Sequence, residues 1–331
     1  MTRTTPMILL DVGSTNSRAW LVSGGEILAS RTAPVGVRDS ARERSTALVR
    51  ATTRDLIAAL LPPGARIPVA AAGMITSSLG LADVPPLLAP VSAADLAGGV
   101  VQIDAPDIST LPILLVPGVR TAGSGDGVTE DIMRGEETLI VGLLAMGMLA
   151  PGSALLNAGS HWKLIRIDER GRIASSRTSL GGEVMHAVQT ATLLAASLPD
   201  GPLSAVDAEW LHAGSAAAGR DGLLRALFDV RLLDQRGTTT AGQRFSWFAG
   251  ACISEDLQAL LRTAAVHPGM RVTVAGPGAI PQAWTHLLTH AGVDAAALDS
   301  PLIERGFITG LMTVANIRQQ TSRSAGTGAS T

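Results

Sequence analysis

The chain has 331 residues, of which 46% are apolar, and its 26 Lys and Arg residues nearly balance its 28 Asp and Glu residues. This length and apolar content suffice for a large core and two globular domains. Because no dense basic segment is present, the charge pattern argues against nucleic acid or a membrane surface as a partner. The single cysteine, Cys252, excludes a disulfide within the chain, and the start of the chain is unlike a signal peptide, so we expect a cytoplasmic protein.

The first part of the chain predicts three strands, a helix and then two further strands. Apolar runs and a Gly24-Gly25 turn predict strands at MILLDV, SRAWLV and EILASRT within residues 5–32. A helix is predicted over residues 40–61, where Pro62-Pro63-Gly64 ends it. Further strands are predicted at 67–75 and 111–118, and a helix, apolar on all sides in its second half, over 129–149.

A repeat is the most informative feature of the sequence. Residues 8–32 align without a gap on residues 154–178, with nine identities in 25 positions. Unrelated segments would share about two, so the chain contains two copies of one supersecondary unit. Asp11 aligns with Asn157, and the Gly-Ser pair after it is repeated. A need for turn geometry alone explains the glycines but not the repeated hydroxyl. Two such tips facing each other across a cleft suit a polyphosphate and its metal ion.

The segment RVTVAGPGAIPQAWTHLL, residues 271–288, predicts a strand, a Gly-Pro-Gly loop and a helix that begins near Pro281. A glycine loop at a helix N-terminus lets a nucleotide approach the backbone. Many α/β proteins use such a turn for packing alone. Its position after the two repeated hairpins favours the nucleotide-binding interpretation.

The order of these features resembles the actin-like ATPase superfamily. Six segments carry a closer resemblance: DVGSTNSRAW (11–20), AAGMI (71–75), LLVPG (114–118), DIMRGEET (131–138), NAGSHWK (157–163) and GGEVMH (181–186). With these segments the chain looks most like the 2-dehydro-3-deoxygalactonokinase family within that superfamily. The resemblance implies a two-lobed, ribonuclease H-like α/β fold with duplicated domains and a cleft between them. It places residues 1–148 and a C-terminal helix, about 304–320, in the first lobe and 149–303 in the second. The composition of residues 321–331 predicts a disordered tail.

The resemblance also implies an ATP- and Mg²⁺-dependent kinase that phosphorylates the terminal 6-hydroxyl of 2-dehydro-3-deoxy-D-galactonate in galactonate catabolism. A homodimer is a possible oligomeric state of this protein. The alternatives are a kinase of another acceptor, such as 2-keto-3-deoxy-gluconate or an anhydro sugar, an actin-like or Hsp70-like ATPase, and a phosphatase of the same fold. A panel of acceptors separates these functions.

The same resemblance assigns the residues that handle ATP. Asp11 would hold Mg²⁺. Phosphate contacts are expected from Gly13, Ser14, Thr15, Asn16, Gly159, Ser160 and His161, and the nucleotide loop contributes Gly276 and Gly278.

A carboxylate in an apolar helix is costly unless it is paired or faces a polar cleft, so Glu136 and Glu137 need an explanation. One of them could pair with Arg134 or cap the helix together with Asp131. Related kinases carry the catalytic base in a Gly-Asp-Gln segment at this place, which favours Glu136, with Asp131 as the second candidate.

The carboxylate of the sugar acid should be bound by a cationic side chain. The expected substrate-binding residues are Arg18, Gly73, Met74, Arg134, Glu137 and Lys163. His212, His267 and His290 have no spacing that joins them into a metal site.

Overall fold

The computed structural model describes residues 6–123, 130–201 and 203–327, with side chains described up to residue 320. The strands are β1 Met7–Val12, β2 Ser17–Ser23, β3 Glu26–Ala33, β4 Val69–Gly73, β5 Leu87–Leu88, β6 Val101–Ile103, β7 Ile113–Leu115, β8 Val119–Thr121, β9 Asp131–Met133, β10 Ala154–Ala158, β11 Trp162–Ile167, β12 Ile173–Ser179, β13 Arg271–Ala275 and β14 Asp294–Ala297. The helices are α1 Val37–Glu43, α2 Ala47–Leu60, α3 Ala93–Gly99, α4 Glu136–Ala145, α5 Gly181–Ala191, α6 Ala208–Asp221, α7 Leu223–Arg236, α8 Ala241–Arg262, α9 Ile280–His290 and α10 Ser300–Thr327, with short 3₁₀ helices at Met74–Thr76 and Leu193–Ala196.

The chain divides into two units. The first contains Met1–Pro151, Asp168–Ser176 and Glu304–Thr331, and the second contains Gly152–Ile167 and Arg177–Ile303. Residues 168–176 thus belong to the first unit, whereas the predicted division placed them in the second lobe. In the described part of the chain, no helix has both the length and the apolar character needed to span a bilayer.

Two of the sheets repeat one strand order. The first runs β3-β2-β1-β4-β7-β6, and the second runs β12-β11-β10-β13-β14. In the first, β2 is antiparallel to β1 and β3, while β4 is parallel to β1 and to β7. In the second, β11 is antiparallel to β10, while β13 is parallel to β10 and to β14. The duplicated hairpin and the α/β, actin-like fold class predicted from the sequence are therefore confirmed.

The central strand of each repeat is deeply buried and ends in a polar residue. Ile8, Leu9 and Leu10 of β1 are fully buried, as is Leu155 of β10. A strand covered on both faces reads as a continuous apolar run, which explains MILLDV and ALLNA. Parallel neighbouring strands end at the same edge of a sheet, so the polar residues after β1 and β10 lie at that edge of their sheets. Ligands of α/β sheets bind at this edge.

Two predicted helices were wrong in their extent. The helix predicted over 40–61 is two helices, since Arg44 caps α1 in the left-handed conformation and α2 begins only at Ala47. The helix predicted over 129–149 begins only at Glu136, because Gly135 has a φ of 110°. Asp131 consequently lies in strand β9, paired with Thr121, and not on the same helix as Glu136.

The C-terminal helix is longer than predicted. It begins at Ser300 and continues to Thr327, so the first seven residues of the predicted disordered tail are helical, while residues 328–331 lie outside the described residues. Once a helix is nucleated, each added residue costs little and gains a hydrogen bond. No proline follows Pro301 in the first turn of this helix, and composition alone therefore misjudged where the helix ends.

Helices α4 and α10 approach each other to backbone contact. A Cβ atom built on Gly310 would lie 1.8 Å from the carbonyl oxygen of Thr138, and one on Gly142 would lie 1.7 Å from that of Gly306. Only glycine permits this crossing, because backbone atoms cannot give way as a flexible side chain can. The C-terminal helix therefore fixes α4, the helix that carries Glu136 at its first turn.

This crossing predicts a large effect of one added methyl group. We expect Gly310→Ala to lower the free energy of unfolding by about 1–3 kcal/mol or more, because the helices must separate. Gly98→Ala in α3 is the matched control, since a Cβ there meets nothing within 4 Å. It should be neutral or stabilise by up to about 1 kcal/mol. Urea unfolding measures both, and equal effects of the two substitutions would contradict the packing argument.

Candidate active site

Three segments of the first unit meet beside Asp11. The parallel pairing of β1 with β4 places Val12 opposite Gly73. A Cβ on Gly73, whose φ is 92°, would lie 2.7 Å from the Val12 carbonyl oxygen and 3.1 Å from Oδ1 of Asp11. A Cβ on Gly135 would in turn lie 3.3 Å from the Cα of Gly73. The start of α4 is thereby brought against the ends of both strands, and we call this region the Asp11 corner.

Asp11 is an acid in a poorly solvated position. Burial raises its pKa to about 6; the nearby guanidinium of Arg18 opposes this rise and the carboxylate of Glu136 adds to it. Nη2 of Arg18 lies 3.5 Å from Oδ2 of Asp11, and the two side chains are 47% and 19% exposed. The corner therefore holds two neighbouring carboxylates and one accessible cation, so a further cation would be electrostatically favourable there.

The adjacent acids Glu136 and Glu137 differ in accessibility. Glu137 is 0% exposed, and its carboxylate oxygens accept the backbone N–H of Gly135 at 2.9 and 2.7 Å and the hydroxyl of Thr138 at 3.2 Å. Burial first, and then the charge of Glu136, raise the pKa of Glu137 to about 7. Glu136 is half-buried. Of the two, only Glu136 can meet a substrate, and the buried position of Glu137 does not fit its predicted contact with one.

The guanidinium of Arg134 is hydrogen-bonded within the protein. Its Nη1 donates to the carbonyl oxygens of Thr76 and Val84, at 2.5 and 3.0 Å, and its Nη2 lies 3.6 Å from Asp83. Its side chain is only 10% exposed. These bonds tie the residue after β9 to the segment that follows β4. That segment begins with the half-buried Met74. This position does not fit the predicted contact of Arg134 with a substrate carboxylate.

The first tip is a closed turn with an exposed end. The N–H of Gly13 donates to the carbonyl oxygen of Asn16 at 2.8 Å, and the Asn16 side-chain amide donates to Thr15 Oγ1 at 3.0 Å. The N–H of Val37 at the start of α1 donates to the carbonyl oxygen of Gly13 at 3.1 Å. Ser14 is half-buried, whereas Thr15 and Asn16 are exposed and available to a ligand.

The second tip, residues 159–161, packs against the start of α5. A Cβ on Gly182 would lie 2.2 Å from the carbonyl oxygen of Gly159, and the N–H of Glu183 donates to the carbonyl oxygen of Ser160 at 2.8 Å. Ser160 Oγ and His161 Nδ1 are 3.4 Å apart, and His161 Nε2 lies 3.9 Å from Oε1 of Glu183. Hydroxyl and imidazole groups are thus held together at this tip.

The glycine loop lies next to the same tip. A Cβ on Gly276 would lie 2.7 Å from the carbonyl oxygen of Ala158, the residue just before the tip. The structure therefore brings together the loop of Gly276 and Gly278 and the second tip, as the nucleotide-binding interpretation requires. Lys163, on β11 opposite Asn157, is buried, which makes its predicted contact with the sugar acid a poor fit.

The sequence did not predict a cluster of histidines in the second unit. The rings of His212 and His290 lie 4.8 Å apart, and those of His212 and His286 lie 6.5 Å apart. They line a cavity of about 490 Å³ along α9. His286 and His290 are spaced by one helical turn, but nothing local in the sequence joins them to His212. In the described part of the chain no group of three or more His, Cys, Asp or Glu residues could hold a metal ion.

Comparison with known proteins identifies the family. A model of the 2-keto-3-deoxy-galactonokinase family matches residues 11–314. The chain belongs to this family. The 2-dehydro-3-deoxygalactonokinase of Escherichia coli (strain K12) is 29% identical over 270 residues, which cover 81% of this chain and 85% of the relative. The chain is therefore a carbohydrate kinase, and family membership implies a sugar-derived acceptor and the use of ATP.

Solved structures support the fold of this kinase. A crystal structure of a proposed 2-dehydro-3-deoxygalactonokinase from Sinorhizobium meliloti superimposes with a TM-score of 0.74 at 22% identity, covering 94% of this chain and 96% of that one. A reductive activator for a corrinoid, iron-sulfur protein superimposes with a TM-score of 0.52 at 11% identity, covering 96% of this chain and 62% of that one. Because one fold carries such different activities, the fold alone does not assign the reaction.

The raised pKa of Asp11 predicts a pH-dependent effect of its removal. A folded-state pKa of about 6, above the usual 3.8, means that the contribution of Asp11 to stability is present at low pH and lost as pH rises through 6. Without ATP and Mg²⁺, Asp11→Asn should therefore gain stability relative to the unaltered protein, by about 1 kcal/mol between pH 5 and pH 7. Urea unfolding at several pH values measures the difference. A difference that stays constant or falls with rising pH would contradict the assignment.

Proposed function

We propose that this kinase transfers the γ-phosphoryl group of ATP to the 6-hydroxyl of 2-dehydro-3-deoxy-D-galactonate, as a cytoplasmic enzyme of galactonate catabolism. The observation that carries the proposal is the Asp11 corner, where a half-buried Glu136 lies close enough to act on the charge of Asp11. Phosphoryl transfer to a hydroxyl needs a proton acceptor, a cation and positioned substrates, and the corner supplies candidates for the first two.

Glu136 is the proposed base. It is the first residue of α4 and stands next to Gly135, whose backbone approaches Gly73. As the bond between O6 of the sugar acid and the γ-phosphorus forms, the O6 proton passes to the Glu136 carboxylate. The bond from phosphorus to the leaving oxygen of ADP breaks in the same step. Asp131, on β9, remains the second candidate.

The residues at the corner fit a magnesium ion. Mg²⁺ is usually held by one or two carboxylates, with water and substrate phosphate completing its shell. Asp11 offers one such carboxylate, poorly solvated and only partly balanced by Arg18. When bound, the ion would neutralise charge on the β- and γ-phosphates.

The nucleotide is assigned to the two tips and the glycine loop. Phosphate oxygens would accept hydrogen bonds from small polar residues and backbone amides, a combination common at phosphate sites. The proposed phosphate-contacting residues are Gly13, Ser14, Thr15, Asn16, Gly159, Ser160 and His161. Gly276 and Gly278, whose loop contacts the second tip through Ala158, would take the adenosine.

Arg18 is the proposed partner of the sugar-acid carboxylate. Its guanidinium is nearly half exposed and lies at the Asp11 corner, whereas Arg134 and Lys163 are largely buried. A planar guanidinium binds a carboxylate through two parallel hydrogen bonds. Gly73 and Met74 remain proposed as backbone and wall of the acceptor site.

The first test is an acceptor panel with ATP and Mg²⁺ in a coupled assay for ADP. We expect 2-dehydro-3-deoxy-D-galactonate to give the highest kcat/KM, with phosphate found on O6 by NMR. The panel contains 2-keto-3-deoxy-gluconate, an anhydro sugar and a sample without acceptor. Preference for another acceptor would assign a different kinase, and an ATPase rate that no acceptor stimulates would overturn the kinase assignment for this chain.

The base is tested by Glu136→Gln, with Glu169→Gln on the exposed surface as the matched control. Loss of a general base should lower kcat by roughly 10²- to 10⁴-fold while KM for both substrates changes little. The control should keep full activity. If Glu136→Gln turned over at the normal rate, the base would have to be sought elsewhere, first at Asp131.

The acceptor cation is tested by Arg18→Ala, with Arg31→Ala on the neighbouring strand as the control. We expect KM for the sugar acid to rise by roughly 10- to 100-fold, the value of a charge-assisted bidentate pair, with KM for ATP unchanged. Arg31→Ala should alter neither constant. A rise confined to KM for ATP would instead place Arg18 at the nucleotide phosphates.

A further inference from the structure

The buried carboxylate of Glu137 has a local role that substrate binding does not explain. Its carboxylate accepts the backbone N–H of Gly135, shared between both oxygens at 2.9 and 2.7 Å, and the hydroxyl of Thr138 at 3.2 Å, and it is also hydrogen-bonded by its own backbone N–H. It is 0% exposed and stands in an apolar helix whose residues 139–143 are all buried. A carboxylate in such surroundings is costly unless its hydrogen bonds are needed.

The hydrogen bonds of Glu137 act on the first turn of α4. Gly135 is the N-cap residue of this helix and has no side chain that could cap it. In a capping box, a glutamate in the first turn reaches back to the N-cap N–H, and Glu137 does the same from the second helical position. This N–H belongs to the residue whose Cα packs against Gly73. Glu137 therefore fixes the backbone on which Glu136 begins.

We propose that Glu137 is a positioning residue that holds Glu136 in place beside Asp11 by accepting the Gly135 N–H. This inference rests on the proposed function, because it gives Glu136 the role of base. Glu137 itself touches no substrate. Without its hydrogen bonds, the peptide between Arg134 and Gly135, one residue before Glu136, is free to rotate. A base displaced by about 1 Å loses roughly 10²-fold in rate.

Substitutions of Glu137 distinguish three possible roles of its side chain: a hydrogen-bond acceptor, a buried charge and a group that only fills space. Glu137→Gln keeps an amide oxygen that can accept the Gly135 N–H, and it removes the charge. Glu137→Leu keeps the volume of the side chain but has no acceptor. Glu137→Asp keeps the charge on a side chain one methylene shorter, so from this second helical position we expect it to lose the hydrogen bond from Gly135. Thr138→Val is the matched control, because it removes only the 3.2 Å hydrogen bond.

The first readout is kinetic. We expect Glu137→Gln and Thr138→Val to keep kcat within about threefold, while Glu137→Leu and Glu137→Asp lose roughly 10²-fold in kcat with KM for ATP unchanged. Full kcat in a folded Glu137→Leu protein would overturn the proposal. So would an equal loss in Glu137→Gln and Glu137→Leu, since this would mean that the charge, and not the acceptor, is needed. If Glu137→Leu does not fold, the comparison of Glu137→Asp with Glu137→Gln decides.

The second readout does not depend on turnover. Amide hydrogen exchange of a peptide covering residues 131–140 should accelerate in Glu137→Leu and Glu137→Asp and stay as in the unaltered protein in Glu137→Gln. If the unaltered protein phosphorylates no acceptor of the panel, the proposed function fails while this measurement still tests the positioning role. Unchanged exchange in all four variants would overturn the positioning role even in an active kinase.

Discussion

The contact between Gly73 and Gly135 is the constraint on which the site of the first unit depends. A methyl group on Gly135 would lie 3.3 Å from the Cα of Gly73, and one on Gly73 would lie 3.1 Å from a carboxylate oxygen of Asp11. Because backbone meets backbone here, the positions of Asp11 and Glu136 are set by strands and helix rather than by flexible loops. Sites built on such elements hold their geometry more precisely than loop sites do. The glycine crossing of α4 with α10 fixes the same helix farther along, at Thr138 and Gly142.

The charges at this corner oppose stability at neutral pH. Burial raises the pKa of Asp11 to about 6 and that of Glu137 to about 7, and the carboxylate of Glu136 adds to both shifts. A fold selected for stability alone would not gather these acids with one accessible cation, Arg18, recorded beside Asp11 among the described residues. Clusters of acids with perturbed pKa values are typical of functional sites, where stability is given up for activity. The two acids differ in exposure: the side chain of Asp11 is partly exposed and can contact a ligand, whereas that of Glu137 is fully buried and cannot.

The sequence predicted the repeated hairpins closely because their signals are local and doubled. Alternation, a Gly24-Gly25 turn and a second copy 146 positions later all indicate the same strands. It failed at DIMRGEET, where helical spacing of apolar residues continues through Asp131. The pairing of β9 with β8 and the positive φ of Gly135 interrupt it, and neither is visible in composition. Arg134 and Glu137 are expected to bind substrate because they lie in this motif, whereas in the structure each is hydrogen-bonded to backbone groups of the protein. A polar residue in a motif looks the same whether it binds a ligand or a buried backbone group.

The two copies of the hairpin have diverged in chemistry while keeping their strand order. The first ends in Asp11 and gathers carboxylates and Arg18, whereas the second has Asn157 at that place and gathers small residues. In the second copy Gly182 and Gly276 bring α5 and the glycine loop into backbone contact with the tip. Acid-base chemistry and a metal ion need the charged set. A nucleotide, which is already anionic, is better received by amides and hydroxyls than by carboxylates. Replacement of the acid by an amide in the second copy therefore suits the proposal that the first copy alone supplies carboxylates for a base and a metal ion.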